Sequence, residues 1–411
     1  MNLDKLISKI KHIDLKEMDL LRPESVLAFY SIFLLLAGLS FLTDLPIQRS
    51  SLLSFAVIFA SFPFFILGIK AGKFLYGKEV PWYLHILLAG PLIIIYSFVL
   101  KGFFFENIGV PLLISVSSIL GYYFILVKCK ERIDKILPFG LMMGGILVLM
   151  LTLIRLGGIP LVNHELRFLV INNLHWGASI FLFFTGFILL LPRIKSKKNI
   201  LIFTFLSTAV FSVMAFRNVI IVLLLTGVFS AYYFKDLKIG KVLVGLVAAF
   251  VIVVVLGYFT MPLTGPIRML LYRAGTTHIV FDEIVRQAWP TGLTHGSLYL
   301  QGNPRLFVGS EIMSSSSGKS LTFTLLGGSF LDFGIFGASA WMFSLGTLLS
   351  LAYKSMQKGI LGGFYPLLFS FTLVWIEIGV DQFQILFFVM FLIAYMLKYT
   401  NFPKAQFLKR H

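Results

Sequence analysis

Apolar residues run through this chain in blocks of about twenty, separated for the most part by short polar connections. A block of that length suits a helix crossing a bilayer core about 30 Å thick, which needs roughly 20 apolar residues. The pattern predicts twelve such helices, at about 27–43, 51–69, 84–100, 108–127, 137–154, 173–192, 199–215, 217–234, 241–260, 335–353, 361–378 and 384–398. Between the ninth and tenth it is interrupted for some sixty residues, about 261–322. The expected fold class is therefore an all-α polytopic membrane protein with about 12 transmembrane helices and one long loop. The whole of 1–411 is expected to be a single integral membrane domain.

Composition agrees, since 58% hydrophobic against 13% charged residues is far from the balance of a soluble globular protein. Residues 1–24 lack the apolar run and small-residue cleavage site of a signal peptide, and are expected to remain as a cytosolic amphipathic segment. The one cysteine, Cys129, excludes an intramolecular disulfide framework and any cysteine-clustered metal site. A net charge of +17 would suggest nucleic acid in a soluble protein. Here the membrane accounts for it, and no nucleic-acid partner is expected. With both termini in the cytosol, 25 of the 35 Lys and Arg fall on the inner side, as the positive-inside rule requires.

The split by residue type carries more. The inner set holds 21 Lys and 4 Arg, the outer set 2 Lys and 8 Arg. Topology needs only positive charge near the inner surface. It does not call for Arg155, Arg167, Arg217, Arg268, Arg273, Arg286 and Arg305 outside. A guanidinium presents a planar fork of donors that grips phosphate or carboxylate and stays charged, so the surplus points to an anionic ligand on the outer face. The other reading is lipid-headgroup anchoring, with salt bridges to Glu165, Asp282, Glu283 and Glu311.

The long outer loop opens with "MPLTGPIRMLLYRAGTTHIVFDEIVRQAW", which predicts an interfacial helix with His278, Asp282 and Arg286 on one face at i, i+4 and i+8. A histidine held by a carboxylate can accept a proton, and the arginine can steady a phosphate; a surface salt-bridge ladder is the alternative. Beyond it, His295, Gln301, Asn303 and Arg305 are candidates for sugar hydroxyls, and Trp289, Tyr299 and Phe307 for stacking faces. "SLTFTLLGGSFLDFGIFGASAWMF" then interrupts an apolar stretch with Gly327, Gly328, Gly334 and Gly337 around Asp332. Glycines there permit tight packing or a helix break lining a cavity, and an aspartate facing acyl chains would be costly. Before the sixth span, "GGIPLVNHELR" gathers Gly157, Gly158 and Pro160 into an irregular turn with Glu165 and Arg167. Arg217, in "VMAFRNVII", marks the outer hinge between spans seven and eight, and Glu377 and Asp381 flank the outer turn between the last two.

The span centres hold almost no ionisable groups, which weighs against an ion-coupled transporter. There is no GxxxxGK(S/T) nucleotide loop and no HExxH, and no cofactor is expected.

Together, "GGIPL" with the arginine at 167, "FRN" at 216–218 before an apolar helix and a basic turn, and "LTFTLLGGSFLDFGIFGASAWMFSLGTLLSLAYK" resemble the oligosaccharide repeat unit polymerases of the Wzy type, related to O-antigen ligases. The resemblance covers about a third of the chain in the expected order. It implies a glycosyltransferase of the outer membrane face, which moves a growing glycan from a polyprenyl-pyrophosphate carrier onto the terminal sugar of another lipid-linked repeat unit. Arg167, Arg217, Arg273, Arg286 and Arg305 would then bind pyrophosphate. The incoming hydroxyl would pass its proton to a base drawn from His278, His295, Glu165 and Asp332. Implied partners are lipid-linked oligosaccharides and membrane lipids, with a chain-length regulator and a flippase as companions. A ligase using the same donor, and a lipid-linked oligosaccharide flippase or transporter, are the competing functions.

Overall fold

The computed structural model describes residues 19, 21–43, 45, 50–79, 109, 116, 133–163, 165, 166, 169, 174–247, 251, 266–298, 304–313, 321–359, 361–380 and 382–399. Its helices are α1 (Ser25–Ser40), α2 (Leu52–Leu75), α3 (Ile133–Leu156), α4 (Leu174–Leu190), α5 (Lys197–Ser212), α6 (Arg217–Lys235), α7 (Pro266–Ala288), α8 (Gly327–Gln357), α9 (Phe364–Ile378) and α10 (Gln382–Tyr399). Among the described residues five helices are long and apolar enough to cross a membrane: α2, α3, α4, α6 and α8. α1, α9 and α10 are shorter apolar helices. With α5 at the place of the seventh, nine of the expected spans have a helix at their place. The spans expected at 84–100 and 108–127, and most of 241–260, lie outside the described residues.

The helices alternate in direction. One end of the bundle gathers the C-terminus of α1, where Phe41 meets the His278 ring, and the N-terminus of α2, where Ser51 meets Asp282. It also gathers the ends of α3 and α4, joined by Arg155 and His175, the start of α6 and the end of α9, joined by Arg217 and Glu377. The opposite end holds Lys73, Lys235, Lys354 and Lys398 in the last turns of α2, α6, α8 and α10. There Tyr233 and Tyr353 donate to the Asp19 carboxylate just ahead of α1, while Tyr233 and Tyr365 donate to the Leu21 carbonyl. Lysine therefore predominates at this end, with Arg22 and Arg193, while the other end gathers Arg155, Arg217 and Arg273.

Burial of a large apolar core cannot drive helix association inside lipid, so close packing must do it. The α2–α8 seam shows how: a Cβ on Gly68 would stand 2.1 Å from the Phe343 carbonyl oxygen, and one on Gly346 2.3 Å from that of Phe65. Across this seam the Thr347 hydroxyl lies 3.1 Å from the Gly68 carbonyl it donates to. On the outside of α3, Ile136, Met143, Leu147, Met150 and Ile154 are all exposed, an apolar strip suited to acyl chains.

α7 lies across the arginine end, touching α1, α2, α8 and α9. Its Ala274, Thr277, His278, Phe281, Ile284, Val285 and Ala288 are buried at helical spacing. Arg286 does not share that face. Each step of four residues overshoots a full turn by about 40°, so two steps carry Arg286 about 80° around the axis from His278. It is largely exposed and pairs with Glu283.

α8 is broken as its glycines suggested. Phe333 and Gly334 leave helical geometry, Gly334 with φ 58° and ψ −140°, so the straight part begins about where the tenth span was expected. The segment after α7 fills the break: Ile335 N–H donates to the Pro290 carbonyl at 3.0 Å, and His295 N–H to that of Asp332 at 3.0 Å.

Candidate functional site

The arginine end converges on one carboxylate. Glu377, in the last turn of α9, receives Arg273 Nε at 2.6 Å from α7 and lies 3.5 Å from Arg217 Nη2 at the first residue of α6. Arg305, in a short helical turn at Pro304–Phe307, adds a third positive charge within electrostatic range. The three side chains are partly exposed, 18% for Arg217 and 29% for both Arg273 and Glu377.

Local structure explains the convergence. Val213–Phe216 forms a tight hinge, with Ala215 at φ 56°, that turns the chain from α5 into α6 and sets Arg217 at the new helix start. The "GGIPL" turn braces this hinge, with Leu161 N–H donating to the Val213 carbonyl at 3.0 Å, and Trp176 stacks on Phe216 with centroids 5.1 Å apart. Gly157 in that turn has φ 67°, in the left-handed region that glycine tolerates best. On the other flank Gly379, at φ 76°, stops α9 two residues after Glu377.

The remaining residues singled out from sequence are placed as follows. His278 is fully buried, its Nε2 3.0 Å from the Ser54 hydroxyl and its ring 4.0 Å from that of Phe55. Burial pushes its pKa down to about 4 against the opposing pull of Asp282. Asp282 does not hold this histidine; it accepts from the Ser51 hydroxyl and, at 3.1 Å, from Ser51 N–H, where a carboxylate suits the start of α2. Asp332 is buried and serves as a loop anchor: its Oδ1 accepts from the Thr294 hydroxyl at 2.6 Å, Gly296 N–H at 2.9 Å and Leu298 N–H at 3.3 Å. His295 is exposed on the loop so held. Both lie beyond the far end of α7 from Arg273, a separation of about 22 Å of helix at 1.5 Å per residue. The structure does not bring them to the arginine cluster, nor Arg286. Glu165 is exposed, its N–H bonded to the Asn163 side chain at 3.1 Å. Trp289 stacks on Phe330 at 6.4 Å, and Phe307 packs against the core. Arg167, Tyr299, Gln301, Asn303 and Asp381 lie outside the described residues.

Glu377 is the site residue to which sequence reasoning gave no role. A signal existed: a negative charge at a helix C-terminus and a positive charge at a helix N-terminus each oppose the local helix dipole, so both need an external reason. Among the described residues no group of three or more His, Cys, Asp or Glu is gathered that could hold a metal ion.

Comparison with known proteins gives the frame for this cluster. Residues 19–389 match the family described as "Putative O-antigen polymerase". An uncharacterized protein of Methanocaldococcus jannaschii is 24% identical over 405 residues, covering 93% of this chain and 92% of the relative. No solved structure matches the chain. The family match takes in every described helix from α1 through α9 and the arginine cluster they build, and this multi-pass membrane protein belongs to the O-antigen polymerase family.

Proposed function

We propose that the protein lengthens a lipid-linked glycan at the outer face of the membrane, with Arg217, Arg273 and Arg305 holding the pyrophosphate of a polyprenyl-pyrophosphate donor. The observation that carries this reading is the meeting of Arg217 and Arg273, from separate helices, on Glu377 at one end of the bundle, with Arg305 within electrostatic range. In the transfer, the acceptor oxygen forms a bond to the donor's anomeric carbon as the bond from that carbon to the phosphate oxygen breaks. The electron pair leaves on the lipid pyrophosphate, and the acceptor's proton goes to a base. Charge grows on the leaving pyrophosphate as the bond breaks, and fixed guanidiniums stabilise that charge without reorganising. The arginine end faces outward in this reading because the opposite end carries the lysines.

Purified full-length protein, given a lipid-linked repeat unit in detergent, should produce a ladder of longer glycans with no membrane present. A flippase has no substrate sidedness to act on in detergent and leaves the repeat unchanged; a ligase leaves it unchanged until its separate acceptor is added. Orientation is checked by labelling Glu165→Cys and Ser196→Cys, each in a Cys129→Ser background, with a membrane-impermeant maleimide on intact cells. Position 165 should react and position 196 should not; reaction of both from one side would sink the topology.

A further inference from the structure

Glu377 presents the arginines with a counter-ion in an unusual way. Both arginine contacts fall on its Oε1, and Arg273 makes its contact through Nε and not through its terminal fork. The Arg217 approach, at 3.5 Å, exceeds hydrogen-bond length. A permanent structural pair between arginine and carboxylate is typically bidentate and short at both contacts. Here Arg273 holds the carboxylate through a single printed contact, Arg217 stands farther off, and Glu377 is partly exposed. The pair also joins two charges that each oppose the dipole of the helix carrying them, so neither helix gains from its own charged end.

We infer that Glu377 is an exchangeable counter-ion that becomes the proton acceptor of the reaction: the donor's pyrophosphate displaces it from Arg217 and Arg273, and the freed carboxylate takes the proton of the incoming sugar hydroxyl. This rests on the reading that these arginines hold pyrophosphate. The step balances. The acceptor O–H bond breaks, its proton forms a new bond to a Glu377 carboxyl oxygen, and the acceptor oxygen closes the glycosidic bond as the lipid pyrophosphate departs with its electron pair. A carboxylate held by guanidiniums keeps a proton poorly, whereas beside a bound pyrophosphate it keeps one better. Loading the donor therefore creates the base, and release of the lipid pyrophosphate returns Glu377 to the arginines and expels the proton to water. The base is unavailable until the leaving group is seated.

The test uses full-length protein in detergent and two readouts, binding of a glycan-free polyprenyl pyrophosphate and elongation of a lipid-linked repeat across a pH series. Glu377→Gln should bind the probe more tightly, by about threefold or more, because no internal carboxylate competes for the arginines. Its elongation rate at saturating substrate should fall roughly a hundredfold or more, with loss of the acidic limb of the pH profile. Glu377→Asp, which keeps the carboxylate, should recover part of the rate and the acidic limb. If Glu377→Gln elongates at close to the wild-type rate, or loses binding and elongation together, the inference is overturned. Arg273→Ala separates the two layers. If it binds the probe as well as wild type, the pyrophosphate reading fails and takes this one with it; if it loses the probe while Glu377→Gln leaves both readouts unchanged, only the role of Glu377 falls.

Discussion

Arg217→Ala and Arg273→Ala should each abolish long glycan, with lipid-linked single repeats accumulating in its place. Removing one donor that stabilises charge developing in a transition state costs about 2.7–4 kcal/mol, or roughly 10²–10³ in rate. Here each loss also leaves Glu377 facing fewer cations. The two variants are measured by glycan ladders on gels and by quantifying the unextended lipid-linked repeat. Lysine replacements distinguish charge from geometry, because an ammonium keeps the charge and loses the planar fork; Arg217→Lys should retain short products only. Ladders of unchanged length in both alanine variants would remove the arginines from the reaction. Arg286→Ala provides the contrast, since its partner Glu283 lies on its own helix at an exposed surface, and its ladder should remain close to wild type.

Gly334→Ala should produce the largest structural loss. A Cβ at this position would stand 1.8 Å from the Pro290 carbonyl oxygen, and the backbone sits at φ 58°, ψ −140°, a region essentially reserved for glycine. Backbone strain of this kind costs about 1–3 kcal/mol by itself, and the clash with a fixed carbonyl adds to it. Relief requires moving the 290–298 segment away from the break, which dismantles the contacts at Asp332. Thermal unfolding in detergent should show a clear drop, with elongation lost alongside. Gly140→Ala is the control: it lies within α3, its Cβ would meet nothing within 4 Å, and alanine is the better helix former. Equal melting temperatures for the two variants would show that the break is not held by that contact.

Nine of the twelve expected helices, and their alternation, were legible because bilayer thickness fixes block length. The break in α8 was legible in its glycines, since Gly334 has a backbone geometry that other residues strain to adopt. The surplus of arginine on one side of the expected topology was legible, and Arg217 and Arg273 do meet, on Glu377, at one end of the bundle. What the sequence did not disclose is which arginines would meet. Arg286 has Glu283 three residues away on the same helix, and that local partner holds it. Arg273 finds its partner 104 residues along the chain, on a helix that shares its end of the bundle. Hydropathy tells which end a residue occupies, but neighbours at that end are decided by how helices pack sideways, and glycine seams such as Gly68 against Phe343 settle that only in three dimensions. For the same reason Asp332 read as a possible base, when its contacts are to backbone N–H groups of a loop more than thirty residues earlier.

The long sequence separations across the arginine cluster also set an order in time. A membrane protein is threaded from its N-terminus, so α2 is inserted long before Thr347 arrives to cross it, 279 residues after Gly68. Arg217 and Arg273 likewise reach the membrane surface before the ribosome has made Glu377. Until α9 is in place, two guanidiniums at that surface have no carboxylate from this helix, and lipid phosphates are the anions at hand. The site is thus among the last parts of the molecule to be completed, and a chain interrupted before α9 would carry its arginines without the residue that closes them.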